Sequence, residues 1–495
     1  MKNLPAKKPA TTVYQDVLAI AEKGNYFLSD RGEPFVDYDI NGKRLTCNVS
    51  SKQFSDWLRI EYYQTHRQVL NGKTLKSVVE TFAAKTSMNN DPKIKIWRRV
   101  AEHDGCIYID LCNDEYEAVE VRVDGWQVIA NPPTRFQRLP GMTPLPLPKK
   151  GGSVTSLTDL LNLSDQSDAA ILVAFCVHAM QPRGPYPILV LNGPKGSSKS
   201  TLSRLITMLI DPNNDPLRPF PRNEQDLAIA LNSRHLAAFD NISYLSQPRS
   251  DALARAATGG SFSARKLYSD LEQISIAIEN PLILNGIPHF VNQPDLEDRC
   301  LFIQLRELPS QNRITEREFW SKFECVHAQI FGLLLDGLTK MLQERPSQGG
   351  INLGRMADFH ANAIASETAF WNQGTFDAAY QMNKDRARNA RLNQNPVAAV
   401  IVNMVRSIGN GAESVNLRTE RTVWTGSVEE LLQAIHSNSK EGLSLGLPDN
   451  VTKLGQMIAN CTELLLEHGI KIQRTKSQSR RRDRGYSITL LDKNE

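Results

Sequence analysis

The seven cysteines of this chain, Cys47, Cys106, Cys112, Cys176, Cys300, Cys325 and Cys461, are odd in number and include no CxxC pair. Disulfide frameworks and zinc sites both need closer, paired spacing, so reduced thiols in a cytoplasm are expected. Long apolar runs are also missing. The longest, AAILVAFCVHAM from Ala169, is too short to span a bilayer, and MKNLPAKKPATT at the start lacks the apolar stretch of a secretory signal. Strong net charge is absent too. The balance is +4, so any polyanion must be held by local patches rather than an overall field. These absences leave a soluble cytoplasmic protein with no membrane partner. What is present is ordinary in bulk, with 41% hydrophobic and 23% charged residues. A chain this long is expected to form roughly three or four domains.

No internal repeat divides it, but proline- and glycine-rich breaks do. RLPGMTPLPLPKKGGS (Arg138–Ser153) reads as a semi-rigid linker, and QERPSQGGINLG (Gln343–Gly354) is a second break. Before the first lie helical pieces such as SKQFSDWLRIEYYQ and strand pieces such as GCIYIDL, AVEVRV and GWQVIA. From Pro187 to about Glu307 strands alternate with helices, the pattern of a parallel sheet covered on both faces. The expected fold class is multidomain α/β. A small α+β domain takes residues 1–150, a sheet core 151–345, a helical region 346–415 and a last domain 416–495.

The stretch LVLNGPKGSSKSTL (189–202) carries the first chemistry. It has the spacing of a phosphate-binding loop, G-x-x-x-x-G-K-[ST], between an apolar strand and a helical pattern. One position departs: the second glycine is Ser198. Glycine there lets the backbone approach phosphates, and serine adds only one small side chain. The nucleotide is therefore expected on Gly193, Pro194, Lys195, Gly196, Ser197, Ser198, Lys199, Ser200 and Thr201. Lys199 reaches the β/γ-phosphates and Ser200 ligates Mg²⁺.

A second metal-binding acid should end a hydrophobic strand, and HLAAFDNIS supplies Asp240. The general base that usually follows is replaced by Asn241, an amide that positions water but cannot take its proton. Either hydrolysis is slow or another acid contributes, with Asp251 a candidate. The N-K-x-D of a guanine reader is missing. Asn285, ending the strand LIL, stands where a γ-phosphate sensor belongs. Arg299, flanked by acids, lies away from its own loop and could reach a neighbour's nucleotide in trans. The plainer alternatives are a turn residue at 285 and a surface ion pair of Arg299 with Asp295 or Asp298.

In this order GPKGSSKS, AAFDN, ILNG and DLEDR resemble the AAA+ ATPases of the superfamily 3 type, with MCM-like helicases as relatives, over Pro187–Leu308. A wider likeness extends to helicase-like ATP-binding proteins of phages and integrated elements. The resemblance implies ATP and Mg²⁺ as cofactors, a homo-hexameric ring, and single-stranded DNA tracked by a hairpin in the channel. The matching stretch is SFSARKLYSDLEQISIAIE (Ser261–Glu279), with Arg265, Lys266 and Tyr268 near its tip. A cation beside an aromatic suits a single strand with stackable bases.

The tail reads helix, helix, strand–turn–strand, the pattern of a winged helix. Lys471, Arg474, Lys476, Arg480, Arg481, Arg482 and Arg484 crowd the wing against one acid, Asp483, so duplex DNA is the expected partner. Phosphate contacts need only charge, and no base specificity follows from them. VDYDI (Val36–Ile40) resembles the paired carboxylates of a primase but lacks a downstream histidine motif, so a collar role fits the first domain better. The main reading is an ATP-driven ring helicase or translocase for replication of a mobile element. The rival is an ATPase switch that binds DNA and recruits partners or senses invaders without unwinding. A third possibility is a DNA-binding protein whose ATPase has decayed, argued from Asn241 alone.

Overall fold

The computed structural model describes residues 10–88, 90–265, 273–287, 290–309, 311, 313–344, 355–409, 421–439, 446–476 and 484–491. Contacts divide the chain into two compact units, Met1–Asn383 and Lys384–Glu495.

The first unit opens with α1 (Ala10–Ala21) and an antiparallel sheet of β1 (Asn25–Leu28), β2 (Pro34–Ile40) and β3 (Lys43–Asn48). The helices α2 (Lys52–His66) and α3 (Gly72–Ser87) follow. Ser51 and Asn71 cap α2 and α3 by accepting the backbone N–H of Phe54 and Lys73. Phe54, Trp57 and Tyr38 stack in the resulting core. After β4 (Ile96–Trp97) comes a meander of β5 (Val100–His103), β6 (Cys106–Asp110), β7 (Glu117–Arg122) and β8 (Gly125–Ala130). Next, β9 (Arg135–Phe136) returns to pair with β4. Alternate residues of the meander, Val100, Ile107, Ile109, Val119 and Val121, point into the main apolar cluster.

That cluster continues through α4 (Val154–Thr158), the fully buried α5 (Asp168–Ala179), β10 (Ile188–Asn192) and α6 (Lys199–Ile210). Then follow β11 (Arg218–Pro219), α7 (Glu224–Asn232), β12 (Ala237–Ile242), α8 (Gln247–Thr258), β13 (Gly260–Arg265) and β14 (Gln273–Ile278). The segment closes with β15 (Leu282–Gly286), α9 (Pro294–Glu297) and β16 (Cys300–Gln304). Five of these strands form a parallel sheet in the order β11-β12-β15-β10-β16. Its two-sided burial is visible in single strands. Leu189 and Leu191 of β10 enter the cluster on one face, while Ile188 and Val190 enter a second cluster on the other. This is why the strands read as unbroken apolar runs.

Three helices complete the unit: α10 (Glu316–Glu344), α11 (Ala357–Glu367) and α12 (Thr375–Gln394), the last continuing past Asn383. The proline-rich segment before α4 lies directly on α10. Lys149 donates its N–H to Ala328 O at 2.9 Å, and a Cβ on Gly332 would stand 1.9 Å from Lys149 O. Only glycine permits that approach.

The second unit contains α13 (Pro396–Gly409), β17 (Arg421–Ser427), α14 (Val428–Ser437), α15 (Val451–Glu467), β18 (Ile470–Lys476) and β19 (Arg484–Leu490). Ser427 and Glu430 form a reciprocal capping box that starts α14. The expected helix–helix–strand–strand order is present, with one addition: β17 joins the far side of β19 in a three-stranded antiparallel sheet. All seven cysteines are free thiols. Among the described residues no helix is long and apolar enough to cross a membrane.

Candidate nucleotide site and nucleic-acid interface

Parallel pairing brings the carboxyl ends of β10, β12 and β15 to one edge, because Leu191 stands opposite Asn285 and Phe239 opposite Leu284. From β10 the chain turns through Gly193–Ser198 into α6. Gly193 has φ 156°, and a Cβ there would lie 2.5 Å from Ser197 Oγ and 2.9 Å from Leu305 O. No side chain fits. Pro194, Lys195 and Gly196 form the exposed tip, whereas Ser197 is buried. Ser198 is left-handed, φ 66° and ψ 26°, and immediately precedes the first residue of α6. A left-handed serine is strained by about 1 kcal/mol, which glycine would avoid. The departure in the motif is therefore a conformational one.

Because α6 begins at Lys199, the unpaired N–H groups of its first turn face the loop, the ordinary setting for an anion. Lys199 Nζ donates to Gly193 O at 2.7 Å and Pro194 O at 2.8 Å. Burial lowers its pKa from the usual lysine value, and the carboxylate of Asp240 opposes that shift. Ser200 and Thr201 are half-buried on the same turn. The hydroxyl of Ser200 and the carboxylate of Asp240 are hard oxygen donors, the kind Mg²⁺ accepts alongside phosphates and water.

At the tip of β12 the register shifts between Phe239 and Ile242, and Asn241 takes φ 60°. Its N–H donates to Asp240 Oδ1 at 2.7 Å and to Asn285 Oδ1 at 3.1 Å. Asn285, 1% exposed, donates in turn through Nδ2 to Ser203 Oγ of α6 at 3.0 Å. Asn285 thus ties the loop helix to the end of β12. Asparagine and aspartate both tolerate the left-handed backbone at 241, so conformation alone does not select the amide. Asp251 is an exposed residue of α8.

Arg299 lies at the opposite end of the sheet. Its carbonyl accepts from Ile188 N–H, at the start of β10. Four strand steps separate that point from Asn192, about 13 Å. The Arg299 side chain is 16% exposed and pairs with the carboxylate of Asp295, and Nη1 also donates to Asp295 O at 2.7 Å. Arg355 reaches Asp295 as well, and Asp298 Oδ2 at 3.0 Å. The expected ion pair is present, and so is the distance from the residue's own loop.

Sequence reasoning missed two cations at the carboxyl edge of the sheet. Since β16 runs parallel beside β10, its continuation also lands at the loop. Arg313 Nη2 lies 3.4 Å from where a Cβ on Gly196 would stand, and Arg313 Nε donates to Leu308 O at 3.2 Å. Arg306 Nε donates to Asn162 Oδ1 at 3.2 Å, while Asn162 Nδ2 donates to Arg306 O at 2.7 Å. Beside them opens a cleft of about 770 Å³, bounded by Gly196, Ser198 and Ser200 on one side and by Leu160, Leu161 and Phe319 on the other. Ligand sites have this scale. Two cations shortly after an apolar strand are the only signal in the sequence, and they acquire meaning only from the pairing of β16.

The expected hairpin exists as the β13–β14 ladder, from Gly260 opposite Ile278 to Arg265 opposite Gln273. Arg265 is placed by its backbone, while Lys266 and Tyr268 lie outside the described residues. Lys471 and Arg474 sit on β18, and Lys476 and Arg484 are paired across the β18–β19 ladder. Arg480, Arg481 and Arg482 lie outside the described residues. Among the described residues no group of three or more His, Cys, Asp or Glu could hold a metal. Of the two acids of VDYDI, Asp39 is exposed to solvent, as aspartates in a strand usually are, whereas Asp37 is buried and paired. Asp37 is buried against Arg135 Nε at 2.8 Å and Thr46 Oγ1 at 2.6 Å, and Asp39 accepts the N–H of Gly42 in the following turn.

This is a multidomain α/β protein with a parallel sheet. Residues 154–389 match the family described as the actinomycete integrative conjugative element replication protein, and residues 397–495 match the C-terminal domain of the RepA proteins of such elements. No curated protein matches the chain. Among solved structures, the apo C-terminal region of NrS-1 is 11% identical with a TM-score of 0.42, over 98% of this chain and 100% of that one. The active helicase Cch of SCCmec type IV is 11% identical with a TM-score of 0.45, over 94% of this chain and 92% of that one. Both scores lie below 0.5, so neither likeness bears on function.

Proposed function

We propose that the chain is an ATP-driven, ring-forming DNA helicase or translocase of the superfamily 3 AAA+ type, acting in replication of a mobile element. The family match supports the replication role. The observation that carries the ATPase is the meeting of the Gly193–Ser200 loop, Asp240 and Asn285 at one edge, with Arg299 at the other. Lys199 and the first turn of α6 bind the β/γ-phosphates, and the nucleoside occupies the cleft between the loop and Phe319. Arg313 adds positive charge in cis. Ser200 and Asp240 would hold Mg²⁺, whose bound charge offsets that of the phosphates. Asn285 holds the tip of β12 in register with α6 and senses the γ-phosphate through that link. Arg299 completes the site of an adjacent subunit in a homo-hexamer. The hairpin with Arg265, Lys266 and Tyr268 contacts single-stranded DNA. The α14–α15–β18–β19 unit is a winged helix on duplex DNA, its charge running from Lys471 to Arg484. Residues 1–150 form a collar, 151–345 the ATPase core, 346–415 a helical region and 416–495 the winged-helix domain.

ATP turnover measured with and without single-stranded DNA, together with unwinding of a forked duplex, tests this reading. Wild-type protein should hydrolyse ATP faster with DNA, and Lys199→Ala should abolish turnover. Unchanged rates in that variant would sink the ATPase. One observation favours the third reading, a DNA-binding protein whose ATPase has decayed: Asn241 offers no proton acceptor beside Asp240. If the missing base limits the rate, Asn241→Asp should raise turnover, whereas a fall assigns the amide a positioning role.

A further inference from the structure

The outer face of α15 carries a pattern that phosphate binding does not require. Its inner stripe, Leu454, Ile458, Cys461, Leu464 and Leu465, is buried at helical spacing. On the outer side of its first half, Thr452, Lys453, Gln456, Ala459 and Asn460 are exposed. A solvated helix face is usually dressed in charge. Here three of the five are uncharged hydrogen-bonding side chains on successive turns, and the one cation, Lys453, is met by Asp449 at 3.3 Å. The acids Glu463 and Glu467 come only in the later turns.

Positive charge is supplied from beside the helix. Arg474 Nη2 lies 3.9 Å from where a Cβ on Gly455 would stand, so the basic strand β18 borders this same half. The arrangement separates two tasks that one duplex contact combines: cations at the border for phosphates, and amides in the middle for base edges. A helix fits the major groove of B-form DNA, and glutamine or asparagine can bond adenine through N6 and N7 at once, a donor and an acceptor side by side.

We propose that α15 reads base edges in the major groove, with Gln456 and Asn460 as adenine-reading residues, so that the C-terminal unit selects a particular duplex site containing adenine. This rests on the duplex-binding reading above and adds sequence specificity to it. The test is selection of the full chain on a random duplex pool, followed by anisotropy titrations of the enriched and a scrambled duplex over a range of salt. Wild-type protein should prefer an enriched duplex containing adenine by at least about a hundredfold, about tenfold for each bidentate pair. Gln456→Ala with Asn460→Ala should bring the enriched duplex down to the affinity of the scrambled one. Lys471→Ala with Arg474→Ala should weaken both duplexes alike and flatten the salt slope. The two positions are exposed, and a thermal melt of each variant checks the fold. No enriched motif, or a preference that survives the amide substitutions, overturns the inference and leaves duplex binding standing. No duplex binding by wild-type protein overturns the winged-helix reading itself.

Discussion

The two ends of the parallel sheet are built on opposite terms. At the amino end, charges are matched. Arg99, fully buried, donates through Nε to Asp211 Oδ1 at 2.9 Å, and Asp211 Oδ2 accepts the N–H groups of His235 and Leu236 where β12 begins. Arg299 is tied to Asp295 beneath β16. At the carboxyl end the backbone is bent into left-handed conformations at Gly196, Ser198 and Asn241, and a cleft stands open beside it. One end is arranged to hold strands together and the other to hold something else. Ser198 and Asn241 place strained backbone where the ligand is proposed to bind.

The largest effect expected from breaking this contrast is at Arg299. Arg299→Ala should bind ATP but hydrolyse it ~10³–10⁵-fold more slowly. Mixed with Lys199→Ala protein under subunit exchange, it should recover part of the activity, because a hybrid interface that takes its loop from the Arg299→Ala subunit and its arginine from the Lys199→Ala subunit is intact. Proven mixing without recovery argues that Arg299 serves only its ion pair.

Asp211 comes next. Burial alone pushes its carboxyl pKa up, but Arg99 and His235 hold it below the ordinary value. Asp211→Asn leaves the Arg99 charge buried without its counterion and should cost about 3–5 kcal/mol in urea unfolding. The sign with pH follows. A carboxylate with a depressed folded pKa contributes stability above its unfolded pKa and loses it as pH falls through the folded one. Wild-type protein should therefore lose this contribution in acid, and the variant should show less of that slope.

A milder change tests the link between the two regions of the open edge. Asn285→Ala removes the contacts to Ser203 Oγ and to the Asn241 N–H and should cost about 1–3 kcal/mol. Its turnover should fall while nucleotide binding, followed with a fluorescent analogue, stays near wild type. Equal loss of binding would make Asn285 a packing residue only. Smallest is Ser198→Gly, which relieves the left-handed serine and should raise stability by up to about 1 kcal/mol, visible as a higher Tm. A lower Tm would mean that the Ser198 side chain stabilises the loop.

Much of the open edge was legible because its signals are local. An apolar run, a loop of fixed spacing and a 3.6-residue pattern specify β10, the turn and α6 without reference to the rest of the chain. The same holds for Asp240 at a strand end and for the two helices of the tail. The amino edge was not legible in this way. Arg98–Arg99 stand together as two cations that look solvated, and Arg99 is buried only by partners distant in sequence, the Asp211 carboxylate and the carbonyls of Asp110, Thr143 and Pro212. Arg313 follows a polar stretch with no pattern of its own and is defined by which strand lies next to β10. β17 was missed because its few alternating residues, RTVWTGS, run straight into the cap of α14. Ser198 could be recognised as a departure, but its left-handed backbone could not.

Val100, Ile107, Val119 and Leu145, all ahead of α4, share one buried cluster with α5 and α10. This constrains where the sequence can be cut and rejoined. A crossover placed in the proline-rich segment, inviting by composition, separates partners that fill the same interior and leaves each half with an uncovered apolar wall. A crossover after Asn383, where one compact unit gives way to the next, leaves both interiors whole. Chimaeras with related chains should therefore tolerate exchange of the C-terminal unit, while the first 383 residues must be kept together.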